Sequence, residues 1–63
     1  MDVRFCNHGS ICTLTPVSVT AREWMANHIE AEPYMWMGPS LCVEARYVAA
    51  IVDGMVADGL SVE

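Results

Sequence analysis

Apolar and polar positions change period several times along this chain, and each change marks an element. Val3 to Cys6 reads as a strand, and Ile11 to Thr15 as its returning partner, with Ile11, Thr13 and Thr15 alternating with Cys12 and Leu14. Asn7-His8-Gly9-Ser10 between them is a turn, with Gly9 free to take positive φ. Pro16 ends the second strand.

The period then lengthens. Ser18 is an N-cap candidate for a first helix running to about Ile29, with Thr20-x-x-Glu23 as a competing capping box. Ala21, Trp24, Met25 and His28 stand at i, i+3, i+4 and i+7 and share one face. Pro33 closes that segment, and Tyr34 to Met37 is short, aromatic and strand-like. Gly38-Pro39-Ser40 turns the chain into a second short strand, Leu41 to Val43.

A second helix is predicted over Ala45–Ala57, with Tyr47, Val48, Ile51, Val52, Met55 and Val56 over half the wheel. Arg46 and Asp53 stand among alanines on the other half. Gly54 inside this helix costs about 1 kcal/mol relative to Ala, which suggests close packing against it. Asp58-Gly59 is the stop, with Gly59 suited to the left-handed C′ position, and Leu60 to Val62 is long enough for a last strand.

The predicted order is ββαββαβ in one domain spanning residues 1–63. Two amphipathic helices must bury their stripes, and one small sheet can cover both. The expected fold is therefore a two-layer α+β domain, with four to five short antiparallel or mixed strands and both helices on one sheet face. Val3, Phe5, Met35, Trp36 and Met37 cannot all point at the helices, so an apolar patch is expected on the open face.

Composition narrows the function classes. With 54% apolar residues the chain is too hydrophobic for a disordered one. At 63 residues it is too small for a sizeable active-site cavity, so an enzyme is not expected. No stretch approaches the roughly 18 apolar residues of a membrane span, and the start shows no signal-peptide run. Cys6, Cys12 and Cys42 are odd in number and match no secreted disulfide framework, which fits free thiols in a reducing compartment.

The candidate chemistry is thin. Cys6, His8, Cys12, His28 and Cys42 are zinc-ligand types, but their spacing fits no finger or knuckle, and buried strand cysteines are the preferred reading. Cys6 and Cys12 flank one hairpin turn and could face each other. His8 and Ser10 are read as tying the Asn7–Ser10 turn through side-chain to backbone bonds rather than as a base and nucleophile. His28 is read as a hydrogen-bonded core or boundary residue and Trp24 as core. Trp36 is either core or an exposed anchor. No metal and no cofactor is expected.

Charge is the sharper signal. Three arginines and no lysine stand against eight carboxylates, giving a net charge of −5. Such a surface repels nucleic acid and attracts basic proteins. Glu30 and Glu32 cluster after the first helix, and Glu44, Asp53 and Asp58 lie on or around the second. They are either a solubilising surface or a face that occupies a basic nucleic-acid groove. Glu44 also complements the dipole of the second helix, and Asp58 suits its turn with Gly59.

Asn7-His8-Gly9-Ser10-Ile11, Leu14-x-Pro16, Ala21-Arg22-Glu23-Trp24, Val43-Glu44-x-Arg46-Tyr47-Val48 and Gly54-Met55-x-x-Asp58-Gly59-Leu60 resemble a family of very small phage and prophage proteins. The likeness covers almost the whole chain, on turns, caps and core positions. In size and charge the chain is also similar to small phage inhibitors of CRISPR–Cas, including the kind acting on the type I-C surveillance complex. The resemblance implies a non-enzymatic protein in the host bacterial cytoplasm that binds a defence complex where it would recognise DNA. It carries over no functional residues.

The partner-binding candidates are therefore Glu30, Glu32, Glu44, Asp53 and Asp58, with Trp36 or Tyr34 as an apolar anchor. The expected partner is a protein complex with a basic nucleic-acid groove, with no direct nucleic-acid or membrane binding. The chain itself is expected to be a monomer or weak homodimer. The rival reading is a phage interaction or assembly module that uses the open sheet face or an edge strand.

Overall fold

The computed structural model describes residues 1–63. Two hairpins, each followed by a helix, build one four-stranded antiparallel sheet. Strands β1 (Val3–Asn7) and β2 (Ile11–Pro16) precede helix α1 (Val19–His28), and strands β3 (Trp36–Met37) and β4 (Ser40–Glu44) precede helix α2 (Ala45–Ala57). The spatial order β1-β2-β4-β3 puts the second strand of each hairpin in the centre. The repeated strand-strand-helix order thus builds a two-fold-like sheet, and the expected α+β class holds.

Local chemistry accounts for most boundaries. At the first turn the Asn7 side chain accepts from Gly9 N–H at 2.8 Å, and Gly9 sits at φ +96°. The expected ties from His8 and Ser10 are therefore replaced by one from Asn7, whose short amide reaches two residues on. His8 instead lies 3.4 Å from Thr13 Oγ1, and Ser10 contributes its carbonyl, which accepts from Ala45 N–H at 2.8 Å. That bond satisfies an orphan donor at the start of α2, where Glu44 makes no side-chain cap.

Ser18, not Thr20, caps α1, accepting from Ala21 N–H at 3.0 Å. The end of α2 is a Schellman motif. Gly59 N–H donates to Val56 O, Leu60 N–H donates to Met55 O, and Gly59 takes φ +92°. Leu60 and Met55, joined by that motif, are both buried in the core.

Two strand expectations need correction. Tyr34 and Met35 belong to a 3-10 turn over Pro33–Met35, leaving only Trp36–Met37 as strand. Pro33 supplies the fixed φ that starts this turn, and Met35 N–H bonds Glu32 O at 2.9 Å. The last segment, Leu60 to Val62, makes a single parallel bridge, Val3 to Val62, rather than a full strand. It still covers the outer edge of β1, because Val3 N–H donates to Ser61 O and Phe5 N–H to Glu63 O, while Glu63 N–H donates to Val3 O.

The core lies between the sheet and both helices. Val3, Leu14, Leu41 and Val43 from the sheet meet Ala21 and Met25 of α1, Met55 of α2, and Leu60. Only 10 of 63 residues are buried, so each matters. Truncating Leu14 to Ala removes about 2–5 kcal/mol, comparable to the whole stability of a domain this small.

Candidate protein-binding surface

The register defines both sheet faces. Phe5 pairs with Leu14, Cys12 with Val43, and Leu14 with Leu41, all on the helix side. Cys6, Thr13 and Cys42 form one row across the open face, and Arg4 and Thr15 belong to the next. Thr15 Oγ1 and Ser40 Oγ are hydrogen-bonded at 2.6 Å. The open face is therefore hydroxyl- and thiol-rich, not an apolar patch. Val3 is buried, and Phe5, Met35 and Trp36 pack against the core. Of the five residues expected to supply the patch, only Met37 projects on that side, 71% exposed. The reason is the pairing of Trp36 with Leu41, which turns the indole to the helix layer.

The cysteines follow the same alternation. Cys12 is buried on the helix side, Cys42 is half-buried and Cys6 is exposed on the open face. Cys6 and Cys12 therefore point to opposite faces and do not meet, and only Cys12 is the buried strand cysteine expected.

The candidate carboxylates divide by what they touch. Asp58 Oδ2 accepts from Trp24 Nε1 at 2.7 Å and lies 3.7 Å from His28 Nε2. His28 stacks on Trp24 with ring centroids 4.4 Å apart, and its Nδ1–H donates to Trp24 O at 2.9 Å. This group clamps the last turn of α1 to the end of α2, so Asp58 is committed to the fold. Its acid at a helix C-terminus is compensated by the indole N–H. Glu44 is paired with Arg46 at 2.9 Å, and Arg46 also lies over the Tyr47 ring at 4.9 Å.

Glu30, Glu32 and Asp53 are exposed and form no ion pair, as are Glu23 and Glu63. Glu30 and Glu32 stand in the connection between α1 and the 3-10 turn, and Asp53 stands on the outer side of α2. Of the two aromatic candidates, Tyr34 is 84% exposed on the same 3-10 turn, while Trp36 is half-buried. The arrangement unites Glu30, Glu32 and Tyr34 on one short stretch of chain and leaves Asp53 on another element.

Two grooves complete the surface. One, of about 460 Å³, runs between α1 and the second hairpin, with Met25, Ile29, Trp36 and Pro39 on its walls and Arg22 at its rim. The other, of about 530 Å³, lies between α2 and the β1 edge, lined by Phe5, Val48, Val52, Val56 and Val62. Neither was foreseen in the sequence, because each is made by elements distant along the chain.

The Asp2 cluster was likewise missed. Its carboxylate accepts from Ser18 Oγ at 2.7 Å and from Ser61 N–H at 3.0 Å, joining the start of the chain, the α1 cap and the tail. These donors, Ser61 N–H first, hold the Asp2 carboxyl below the usual aspartate range. No group of three or more His, Cys, Asp or Glu side chains is placed to hold a metal ion, and no helix is long and apolar enough to cross a membrane. Comparison with protein-family models, curated proteins and solved structures yields no match.

Proposed function

We propose that this chain is a small acidic inhibitor that acts by binding, not catalysis. It binds a host nucleic-acid-binding defence complex in the bacterial cytoplasm and blocks the surface that would recognise DNA. The observation that carries the reading is the number of exposed carboxylates without a cation: Glu30, Glu32 and Asp53, and also Glu23 and Glu63 elsewhere on the surface. Unpaired exposed acids attract the Arg and Lys that otherwise contact phosphates, and they do so without first breaking an internal bond. Tyr34, exposed beside Glu32, supplies an aromatic anchor of the kind that dominates binding energy at interfaces.

The resemblance to phage inhibitors of CRISPR–Cas makes a Cas surveillance complex the first partner to test. The tagged chain is used to capture proteins from a CRISPR-bearing bacterial lysate at low and high salt. Salt-sensitive capture of a surveillance complex supports the reading, since exposed charges are screened beyond about 8 Å at 0.15 M. Capture of no nucleic-acid-binding complex at either salt overturns it.

A further inference from the structure

We propose that the outer face of α2 is a homodimer interface, formed by two antiparallel copies of the helix about a two-fold axis between Ala49 and Ala50. Arg46, Ala49, Ala50, Asp53, Val56 and Ala57 are all exposed and recur at the three- and four-residue spacing of a helix-packing seam. None of them is covered by the sheet or by α1. Val56 is 57% exposed and borders the apolar groove of about 530 Å³ whose floor includes Phe5 and Val62. Between its two charges this exposed face carries only alanines and Val56, so it is narrow and smooth and lets a second helix come close.

Charge decides the occupant. Arg46 and Asp53 are the only charged residues of α2. Arg46 precedes Ala49 by three residues and Asp53 follows Ala50 by three. An antiparallel two-fold pair therefore sets Arg46 of each protomer opposite Asp53 of the other, making two equivalent ion pairs. A parallel pair would oppose like charges. The face is thus self-complementary, the requirement of an isologous contact. A partner of uniform charge would meet one of the two residues with the wrong sign.

Alanines at the axis let the backbones approach closely. Arg46 is free to turn to this role, because its pairing with Glu44 is exposed on both sides and such pairs contribute about 1 kcal/mol or less. Size and net charge keep the dimer weak. A helix of 13 residues is about 20 Å long, which places the contact at the small end of specific interfaces. Two bodies of charge −5 also repel each other at long range. This inference does not rest on the inhibitor reading: Glu30 and Glu32 lie outside α2, and the one carboxylate the two share, Asp53, is free for another partner whenever the chain is a monomer.

Sedimentation equilibrium of the whole chain, from micromolar to millimolar concentration, tests it. The mass is expected to rise from 6.9 kDa towards twice that value. Arg46→Asp alone and Asp53→Arg alone each weaken the dimer about tenfold or more by opposing like charges. Combining Arg46→Asp with Asp53→Arg restores it. Ala50→Glu, which sets two carboxylates on the axis, abolishes it, with circular dichroism showing the fold intact in every variant. A mass that stays at one protomer throughout, single reversals that dimerise as tightly as the parent, or a charge swap that fails to rescue each overturns the proposal.

Discussion

Trp24 donates its indole N–H to the Asp58 carboxylate at 2.7 Å, across 34 residues of sequence. This bond, the His28 stack and the packing of Trp24 on Gly54 hold the ends of the two helices together. Asp58→Ala is expected to lower stability by about 1 kcal/mol, the usual net worth of a hydrogen bond to a partly exposed acceptor. Urea unfolding monitored by tryptophan fluorescence measures it. An unchanged midpoint would remove Asp58 from the fold and return it to the binding candidates.

Gly54 offers a finer test. A Cβ built there would sit 3.4 Å from the Trp24 ring, an ordinary contact. Gly54→Ala is expected to raise stability by up to about 1 kcal/mol through helix propensity. Gly54→Leu would push the indole off its seat and break the Asp58 bond, lowering stability by about 1–3 kcal/mol. Thermal unfolding of the pair reads both signs, and a stabilising leucine would contradict the packing described.

The Asp2 cluster predicts acid sensitivity. The folded pKa of Asp2 lies below its unfolded value, so its contribution is complete above an unfolded pKa of about 3.9 and is lost as pH falls through the folded value. Asp2→Asn keeps the shape but not the charge. It is expected to lower stability at neutral pH and to flatten the fall in stability below pH about 4. Equal pH slopes in the parent and Asp2→Asn would show that the Ser18 and Ser61 bonds carry no linkage.

Legibility in the sequence followed distance along the chain. α2 is legible to its boundaries, Gly59 is legible as its stop, and the start of α1 is legible down to two candidates, Ser18 and Thr20, because capping and helical period are local signals. The close packing expected at Gly54 is the Trp24 ring. What the sequence hid is non-local. Asp2 meets Ser61 from 59 residues away, and no neighbouring residue marks it. The open sheet face was expected to be apolar because strand composition does not give register, and one residue of register moves Trp36 from one face to the other. The candidate carboxylates were legible as charge, but which of them are already occupied was not. Only the folded chain brings Trp24 and His28 to Asp58.

That division yields a prediction about binding. Charge reversal at Glu30, Glu32 and Asp53, made together, is expected to reduce partner affinity by about tenfold or more, while Glu44→Gln changes it little because Glu44 already faces Arg46. Tyr34→Ala is expected to weaken binding by about 2 kcal/mol if the ring is buried as an anchor. Titration calorimetry against the captured complex ranks the variants. Equal loss at Glu44 and Glu30 would mean that general charge, not these positions, carries the interaction.

Displacement of DNA tests the central claim most directly. Fluorescence anisotropy of labelled target DNA bound to a purified type I-C surveillance complex would be followed as the chain is added at low and high salt. The account predicts that DNA is released stoichiometrically at low salt, less so at high salt, and not by the Glu30, Glu32 and Asp53 reversal. DNA that stays bound at saturating chain concentration would contradict it.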